Sequence, residues 1–399
     1  MSPPGSRPHH REPVVLTAVG LRCAAGARPV LPTRVHARPD PGATALGIQG
    51  VAGVDGVDED PRFPDDRKGS LAWAAASDAA AGAPAQGRRG VWLGTGLSSL
   101  TPDEIRQDLY PFRTGDHFDR DAMAHDLAAD RPSPRRHDPA RVTRTLAAAL
   151  GADRAETSFS ACAAASQAIA SAARAVARGE VDVAFAGGHD AMIHPVGMLS
   201  FVVLGALSPS QCRPFDRRRD GFLIGEGAAV FVLEREADAR ARGATILARW
   251  LGAGTSVDAY NVTAPHPEGE GAALAMRRAL ADAGLEAADI DYVNAHGTGT
   301  PVGDRAEALA VHRVLGDVPV SSFKGAVGHC VAAAGAVELA LCLAAFRDAV
   351  FPGTVGLEEL DPDIRANVIR DARPGRIRTI LSNSFGFGGQ NCAVIVGAP

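Results

Sequence analysis

Three residues of this 399-residue chain join a reactive side chain to a setting suited to chemistry: Cys162, His296 and His329. Cys162 falls where a short strand, Thr157–Ser160, hands over to a small-residue helix of about residues 163–178 (AAASQAIASAARAVAR). A thiol at a helix N-terminus meets open N–H groups and the positive end of the dipole, which favour thiolate. The same N–H groups can hold an oxyanion. A lone cysteine is more often a small buried hydrophobe, and Cys23, Cys212, Cys330, Cys342 and Cys392 are read that way. His296 lies in NAHGTGTP, at the tip of a strand ending near Ala295, where α/β sheets place ligands. Its flanking glycines allow close approach of a substrate, and Thr298 and Thr300 offer hydroxyls. His329 closes KGAVGH, just before a second small-residue helix that bears Glu338. Lys324, His329 and Glu338 around one helix start can form a buried charge network or a plain ion pair. Gly386-Phe387-Gly388-Gly389, within SNSFGFGGQN, reads as a flexible loop before the last strand. It has no following helix and no GK[ST], so it is not a phosphate loop, and a tight turn with positive φ is the plain reading.

The elements that must hold these residues alternate strand and helix. Strands are predicted at Val14–Gly20, Gly90–Gly96, Val181–Ala186, Gly225–Leu233, Ala244–Gly252, Ile290–Ala295 and Cys392–Val396. Gly187-Gly188 is read as a turn. Helices are predicted at Leu71–Ala83 and Gly271–Ala283, from Asp304 onward, and over about 332–346. Residues 101–140 read as long loops with short helices. The alternation argues an α/β fold with buried sheets. The division expected is a disordered tail at 1–12, one half at 13–238 and a second at 239–399, alike in element order but not in sequence.

Bulk properties narrow the function. Hydrophobic residues make up 46% and aromatics only 5%, so Ala, Val and Leu must build the core. The net charge of −5 argues against nucleic acid as the main partner, which needs a basic face. The cations are nearly all arginine; Lys68 and Lys324 are the two lysines. No CxxC pair occurs, so no metal site is expected, and the scattered cysteines fit a reduced, cytoplasmic protein. The N-terminal stretch lacks the apolar run of a signal peptide, and no segment is apolar enough for a membrane span.

Taken together, these segments closely resemble the condensing enzymes: β-ketoacyl-ACP synthases of the elongating Cys-His-His type and polyketide ketosynthases. Arg213-Pro-Phe-Asp216, RDGFLIGEG at 219–227 and DAYNVTA at 258–264 add to the likeness, which spans roughly residues 13–397. The resemblance implies a thiolase-type duplicated five-layer α/β/α/β/α sandwich and decarboxylative condensation. Cys162 would carry an acyl group as a thioester. His296 and His329 would hold the malonyl thioester carbonyl as CO2 leaves. It further implies an oxyanion hole from the N–H groups of Cys162 and Phe387, with Phe387 also gating the acyl pocket. Phe222 would pack beside the departing carboxylate, and Phe201 would line the acyl pocket. Thr298 and Thr300 would meet the phosphopantetheine arm, Lys324 and Glu338 would form a supporting ion pair, and Asp304 would be a structural acid. No cofactor is implied on the enzyme itself; substrates ride on the phosphopantetheine of an acyl carrier protein. Because such carriers are acidic, a basic docking patch is expected at Arg67, Lys68, Arg217 and Arg218. The partners implied are that carrier and a second subunit, in a homodimer or in a heterodimer with another ketosynthase-like chain.

The chain departs from the family in places. Alanine follows Cys162, His189 stands where a small residue is usual, and the Pro209–Arg213 loop is shorter than in fatty-acid-elongating members and lacks their basic residue. Residues 101–157 match poorly, and Arg136-His137-Asp138-Pro139 resembles synthases of polyene-type secondary metabolism. Two rival readings remain: a ketosynthase-like subunit active only beside a partner, and an ester- or amide-forming acyltransferase on the same fold. A thiolase would need a second cysteine as base, and the GFGG context of Cys392 speaks against that.

Overall fold

The structure is a computed structural model, which describes residues 12–96, 106–129 and 138–399. Apart from Glu12, the expected N-terminal tail lies outside the described residues, as do Arg136 and His137. Ten strands carry the architecture: β1 (Val14–Arg22), β2 (Arg89–Thr95), β3 (Arg154–Ser158), β4 (Val183–Ala191), β5 (Glu226–Arg235), β6 (Ala248–Val257), β7 (Tyr292–Asn294), β8 (Pro319–Ser321), β9 (Thr379–Gly386) and β10 (Gln390–Gly397). Among the described residues they join, with the short strand Asn367–Val368, in one sheet of eleven.

The spatial order is β3-β2-β4-β5-β1 and then β6-β10-β9-β7-β8. The second group repeats the first in mirrored sequence. In each group the first strand runs antiparallel to the fifth and the fourth antiparallel to the fifth, while the second is parallel to the third and fourth. The groups meet along a short β1–β6 ladder, where Val14 faces Trp250. The repeat appears on either side of the short helix Glu236–Ala241.

Helices complete the layers. Helices α1 (Arg67–Ala80) and α2 (Arg141–Ala149) cover the outside of the first group around Leu71, Leu93 and Phe185. Helix α4 (Pro195–Val203) follows β4. Helices α5 (Glu270–Ala283) and α6 (Pro301–Leu315) cover the outside of the second group around Met276 and Val293. Helices α3 (Ala164–Ala177) and α7 (Ala334–Asp348) lie between the groups and touch both. Their many alanines suit this place, because two helices fit between two sheets only if side chains are short. The result is the α/β/α/β/α sandwich that the family resemblance implies.

One local reading is corrected. Gly187-Gly188 is not a turn but the middle of β4. A Cβ on Gly187 would lie 1.9 Å from Ala229 O, and one on Gly188 would lie 2.5 Å from the Cβ of Ala165, so the glycines serve close packing. The loop expected at Gly386–Gly389 is the turn Phe387–Gly389, with Gly386 closing β9, and Gly388 and Gly389 have φ of 80° and 72°.

Candidate functional site

The two inner helices begin at the same place. Ala161, at φ 46°, turns the chain sharply out of β3, so that Cys162 stands just ahead of α3. In the second group His329 holds the matching position ahead of α7. Its N–H donates to Leu223 O at 2.8 Å and its carbonyl accepts from Gly225 N at 3.0 Å, which fixes the backbone at both ends. His296 follows β7. Its N–H and that of Gly297 donate to the two carboxylate oxygens of Glu307 at 2.8 and 2.7 Å. Asn383 Nδ2 donates to the same carboxylate at 3.1 Å.

Three sequence-distant residues thus meet. Cys162 Sγ lies 3.1 Å from His329 Nε2, and ligand-type atoms of Cys162, His296 and His329 all fall within 4.8 Å of one another. The imidazole rings meet edge to face at 5.2 Å. All three residues are buried at the floor of a cavity of about 330 Å3. Phe201, Phe222 and Phe387 form one wall: Phe222 stacks edge-on to His329 at 4.9 Å and to Phe201 at 5.4 Å, and Phe387 lies 6.3 Å from Phe201. Thr298 and Thr300, their hydroxyls 2.9 Å apart, line the cavity farther out.

Burial dominates the electrostatics. It pushes the Cys162 thiol up to about 12, against the lowering effects of Lys324 and of the Phe387 N–H that donates toward the sulfur. The thiolate expected from the helix N-terminus is therefore not the resting form, because desolvation outweighs the dipole. Burial, and then the Lys324 charge, hold His296 and His329 well below the usual imidazole range, so both rings are neutral at pH 7. Neither Nδ1 has a hydrogen-bond partner among the described residues. The site is a neutral thiol between two neutral imidazoles, facing an apolar wall.

Behind it lies a buried charge pair. Lys324 Nζ donates to Glu338, and Glu338 also accepts from Asn294 Nδ2 at 3.1 Å. Removing one partner would strand a charge, at a cost of about 3–5 kcal/mol. Lys324→Met is expected to lose that much in denaturant unfolding, and Lys324→Met with Glu338→Leu to recover most of it. A single variant as stable as the wild type would show that the pair is not a coupled unit. Asp304, at the first turn of α6, accepts from Phe215 N at 2.7 Å and Gly299 N at 3.0 Å, with Arg219 at 3.9 Å. Burial still pushes its carboxyl up to about 7.

The basic patch does not form as expected. Lys68 is buried, with its charge acting on Asp190 and His189. Arg67 is tied to Glu226 at 2.8 Å and to the carbonyls of Val54 and Val57. Arg217 and Arg218 are about half exposed, but Arg217 pairs with Glu359, and Arg218 with Asp216 at 3.0 Å and Glu358 at 2.9 Å. Sequence reasoning also missed Glu307, Asn383 and Asp190, which holds the turn after His329 by accepting from Ala332 N at 3.0 Å. Glu307 had a signal: it sits one helical turn beyond Asp304, on the face turned to the NAHGTGT loop.

Comparison with known proteins gives a consistent picture. Residues 146–239 match the family described as Beta-ketoacyl synthase, N-terminal domain, and residues 247–358 the one described as Beta-ketoacyl synthase, C-terminal domain. The chain is 45% identical over 266 residues to 3-oxoacyl-(acyl-carrier-protein) synthase 2 of Mycobacterium bovis, covering 63% of this chain and 64% of that protein. It is 44% identical over 240 residues to Nodulation protein E of Rhizobium meliloti, covering 59% of each. The chain thus spans just under two thirds of the length of the curated relatives it matches. Among solved structures, the ishigamide ketosynthase/chain length factor superposes with a TM-score of 0.85 at 32% identity, covering 98% of this chain and 100% of that one. A Beta-ketoacyl synthase from Burkholderia phymatum superposes with a TM-score of 0.82 at 30% identity, covering 97% and 100%.

Proposed function

Because the chain belongs to the β-ketoacyl synthase family, we propose that it joins acyl units by decarboxylative condensation at Cys162, His296 and His329, in fatty-acid-like or polyketide biosynthesis. The observation that carries this is the meeting of one thiol and two neutral imidazoles at the floor of a largely apolar cavity.

The reaction has two halves. First, Cys162 Sγ attacks the thioester carbonyl of an acyl group carried on the phosphopantetheine of an acyl carrier protein. The N–H groups of Cys162 and Phe387 receive the oxyanion. The carrier sulfur leaves and takes the thiol proton, relayed by His329 Nε2 at 3.1 Å. A malonyl-carrier then binds and loses CO2, and its electron pair becomes an enolate whose oxygen accepts from Nε2–H of both histidines. The enolate carbon attacks the acyl-Cys162 carbonyl, the C–S bond breaks and the β-ketoacyl-carrier departs, and the Cys162 thiolate so released takes up one proton from solvent. His329 must accept at Nε2 in the first half and donate there in the second. With neither Nδ1 held by a partner, no tautomer is locked, and both roles are open.

In this reading Thr298 and Thr300 hold the pantetheine arm, Phe387 gates the acyl side, Phe222 packs where the carboxylate is lost, and Phe201 lines the acyl pocket. Lys324, Glu338 and Asp304 act as supports, and no cofactor resides on the enzyme. The natural partners are an acyl carrier protein and a second ketosynthase-like chain, identical or not; the likeness to a ketosynthase/chain length factor supports the second. The halves divide at 238/239.

The test is stoichiometry with an acyl donor and a malonyl-carrier. One CO2 is expected per β-ketoacyl product, both read by mass spectrometry. Acyl transfer to an alcohol or amine with no CO2 would replace the proposal with ester or amide formation.

A further inference from the structure

One sharp turn is built twice, ahead of each inner helix. Ala161 and Val331, at φ 46° and 45°, each stand three residues before the helix, α3 in one case and α7 in the other. The same bond closes both turns: Ala163 N donates to Ser160 O at 2.9 Å, and Ala333 N to Cys330 O at 2.9 Å. The N–H just after the strained residue belongs to Cys162 in the first turn and to Ala332 in the second. In the proposed reaction the first N–H receives an oxyanion. The second already holds a carboxyl oxygen of the protein itself, since Asp190 Oδ2 accepts from Ala332 N at 3.0 Å.

Asp190 is fitted to this place. It is buried near the end of β4, and its Oδ1 accepts from Ala191 N at 2.9 Å. A Cβ on Gly96 would lie 2.8 Å from Oδ2, so a side chain there would displace the carboxyl group. Burial pushes the Asp190 carboxyl up, against the charge of Lys68 and the two N–H donors. Its charge works against a thiolate at Cys162, so it is not there to activate the nucleophile. What it holds is a turn under strain, because Val331 is β-branched and such residues avoid positive φ. Bonds to Leu223 and Gly225 fix His329 on the side away from the helix, and two residues later the chain passes through Val331. Relaxation of that turn would carry His329 Nε2 away from Cys162 Sγ, 3.1 Å distant. We propose that Asp190 is a positioning residue for the condensation: its carboxyl oxygen, seated on the Ala332 N–H, clamps the Val331 turn and so sets where His329 stands against Cys162. The inference rests on the proposed function.

The experiment measures CO2 release by the full chain carrying Cys162→Gln as parent. The donors are malonyl-pantetheine and a panel of malonyl-loaded bacterial acyl carrier proteins, and circular dichroism checks the fold of each variant. Asp190→Ala removes the acceptor, and Asp190→Leu removes it while filling nearly the same volume. With the best donor, kcat is expected to fall about 10–10²-fold in both, the scale for a catalytic group slightly misplaced. KM should stay within about two-fold, as for an interaction that matters only in the transition state. Asp190→Asn keeps an amide oxygen for the Ala332 N–H and should stay within about three-fold of the parent. Asp190→Ala made beside His329→Ala should cost less than about two-fold, because a residue that acts through His329 then has nothing to position.

Several results would overturn the clamp. Parent-like rates in the folded alanine and leucine variants would do so. So would an equal loss with and without His329, which marks a general loosening of the site. Asp190→Asn as slow as Asp190→Ala would assign the effect to charge and reject the hydrogen bond. Loss of the fold in both the alanine and the leucine variant would make Asp190 a stability residue instead. Release of no CO2 by the parent from any donor would reject the proposed function itself, and the clamp with it.

Discussion

Cys162→Ala is expected to take up no acyl group while keeping the fold of the wild type. Incubated with acyl donors, the wild type should gain the mass of one acyl chain and the variant none. The loss is complete because no other thiol can substitute. Cys23, Cys212, Cys330, Cys342 and Cys392 are all buried. Burial pushes Cys23 up to about 11 and Cys212 and Cys392 up to about 12, and none of them has a histidine nitrogen against its sulfur as Cys162 does. The fold survives because Cys162 sits among Ala52, Phe201, Phe222 and Ile224, where an alanine removes one sulfur atom from an apolar wall. Acyl uptake by the alanine variant at the wild-type level would move the nucleophile elsewhere. Cys162→Gln is the companion: its side-chain amide imitates the acyl thioester, so the variant should still release CO2 from a malonyl-carrier without condensing it.

The same Cys162→Gln background isolates the second large effect. Adding His296→Ala should lower CO2 release about 10²–10³-fold, the usual loss for one donor to a developing oxyanion in a closed site. His296 is held by its own N–H on Glu307 and by packing at 6.0 Å against Phe385, so truncating its ring leaves the backbone cradle in place. The pH dependence gives an independent reading. Burial and Lys324 depress both imidazoles, so the neutral donors persist as pH falls through 6.5 and are lost only well below it. CO2 release should therefore stay level from pH 8 to pH 6. An unchanged rate in the alanine variant would remove His296 from the chemistry. A loss of activity centred near pH 6.5 would mean that the rings titrate as if exposed.

The sequence was a good guide wherever one segment held its own signal. Cys162 could be placed because the strand-to-helix change around it is abrupt, and His296 because NAHGTGTP ends a strand in a cluster of glycines. That His329 would lie against Cys162, 167 positions earlier, is not a local property; it was reached through the family likeness, and the geometry comes from α3 and α7 starting side by side. The misreadings share a cause. Gly187-Gly188 carries a turn signal, yet here glycine answers to the backbone of β5 and to Ala165 packed on the strand. The docking cations were chosen by charge, and charge in a sequence does not reveal burial. Lys68 sits on the inner side of α1, and Arg67 points at Glu226, 159 positions away. The helix-dipole argument for a thiolate failed likewise, because the desolvation of Cys162 depends on aromatic neighbours contributed by three other segments.

The two lysines have a consequence beyond the site. Lys324 lies inside the sandwich and Lys68 beneath the surface of α1, so the folded protein shows solvent no side-chain amine. Activated thioesters transfer acyl groups to free amines without any catalyst, and the amides so formed are permanent. A protein with the proposed function would gather them wherever an ammonium group stood exposed. Guanidinium groups, which supply nearly all the positive charge here, stay protonated and do not react. The exterior is thus chemically quiet toward thioesters, and under the proposed function selectivity for Cys162 would begin at the surface.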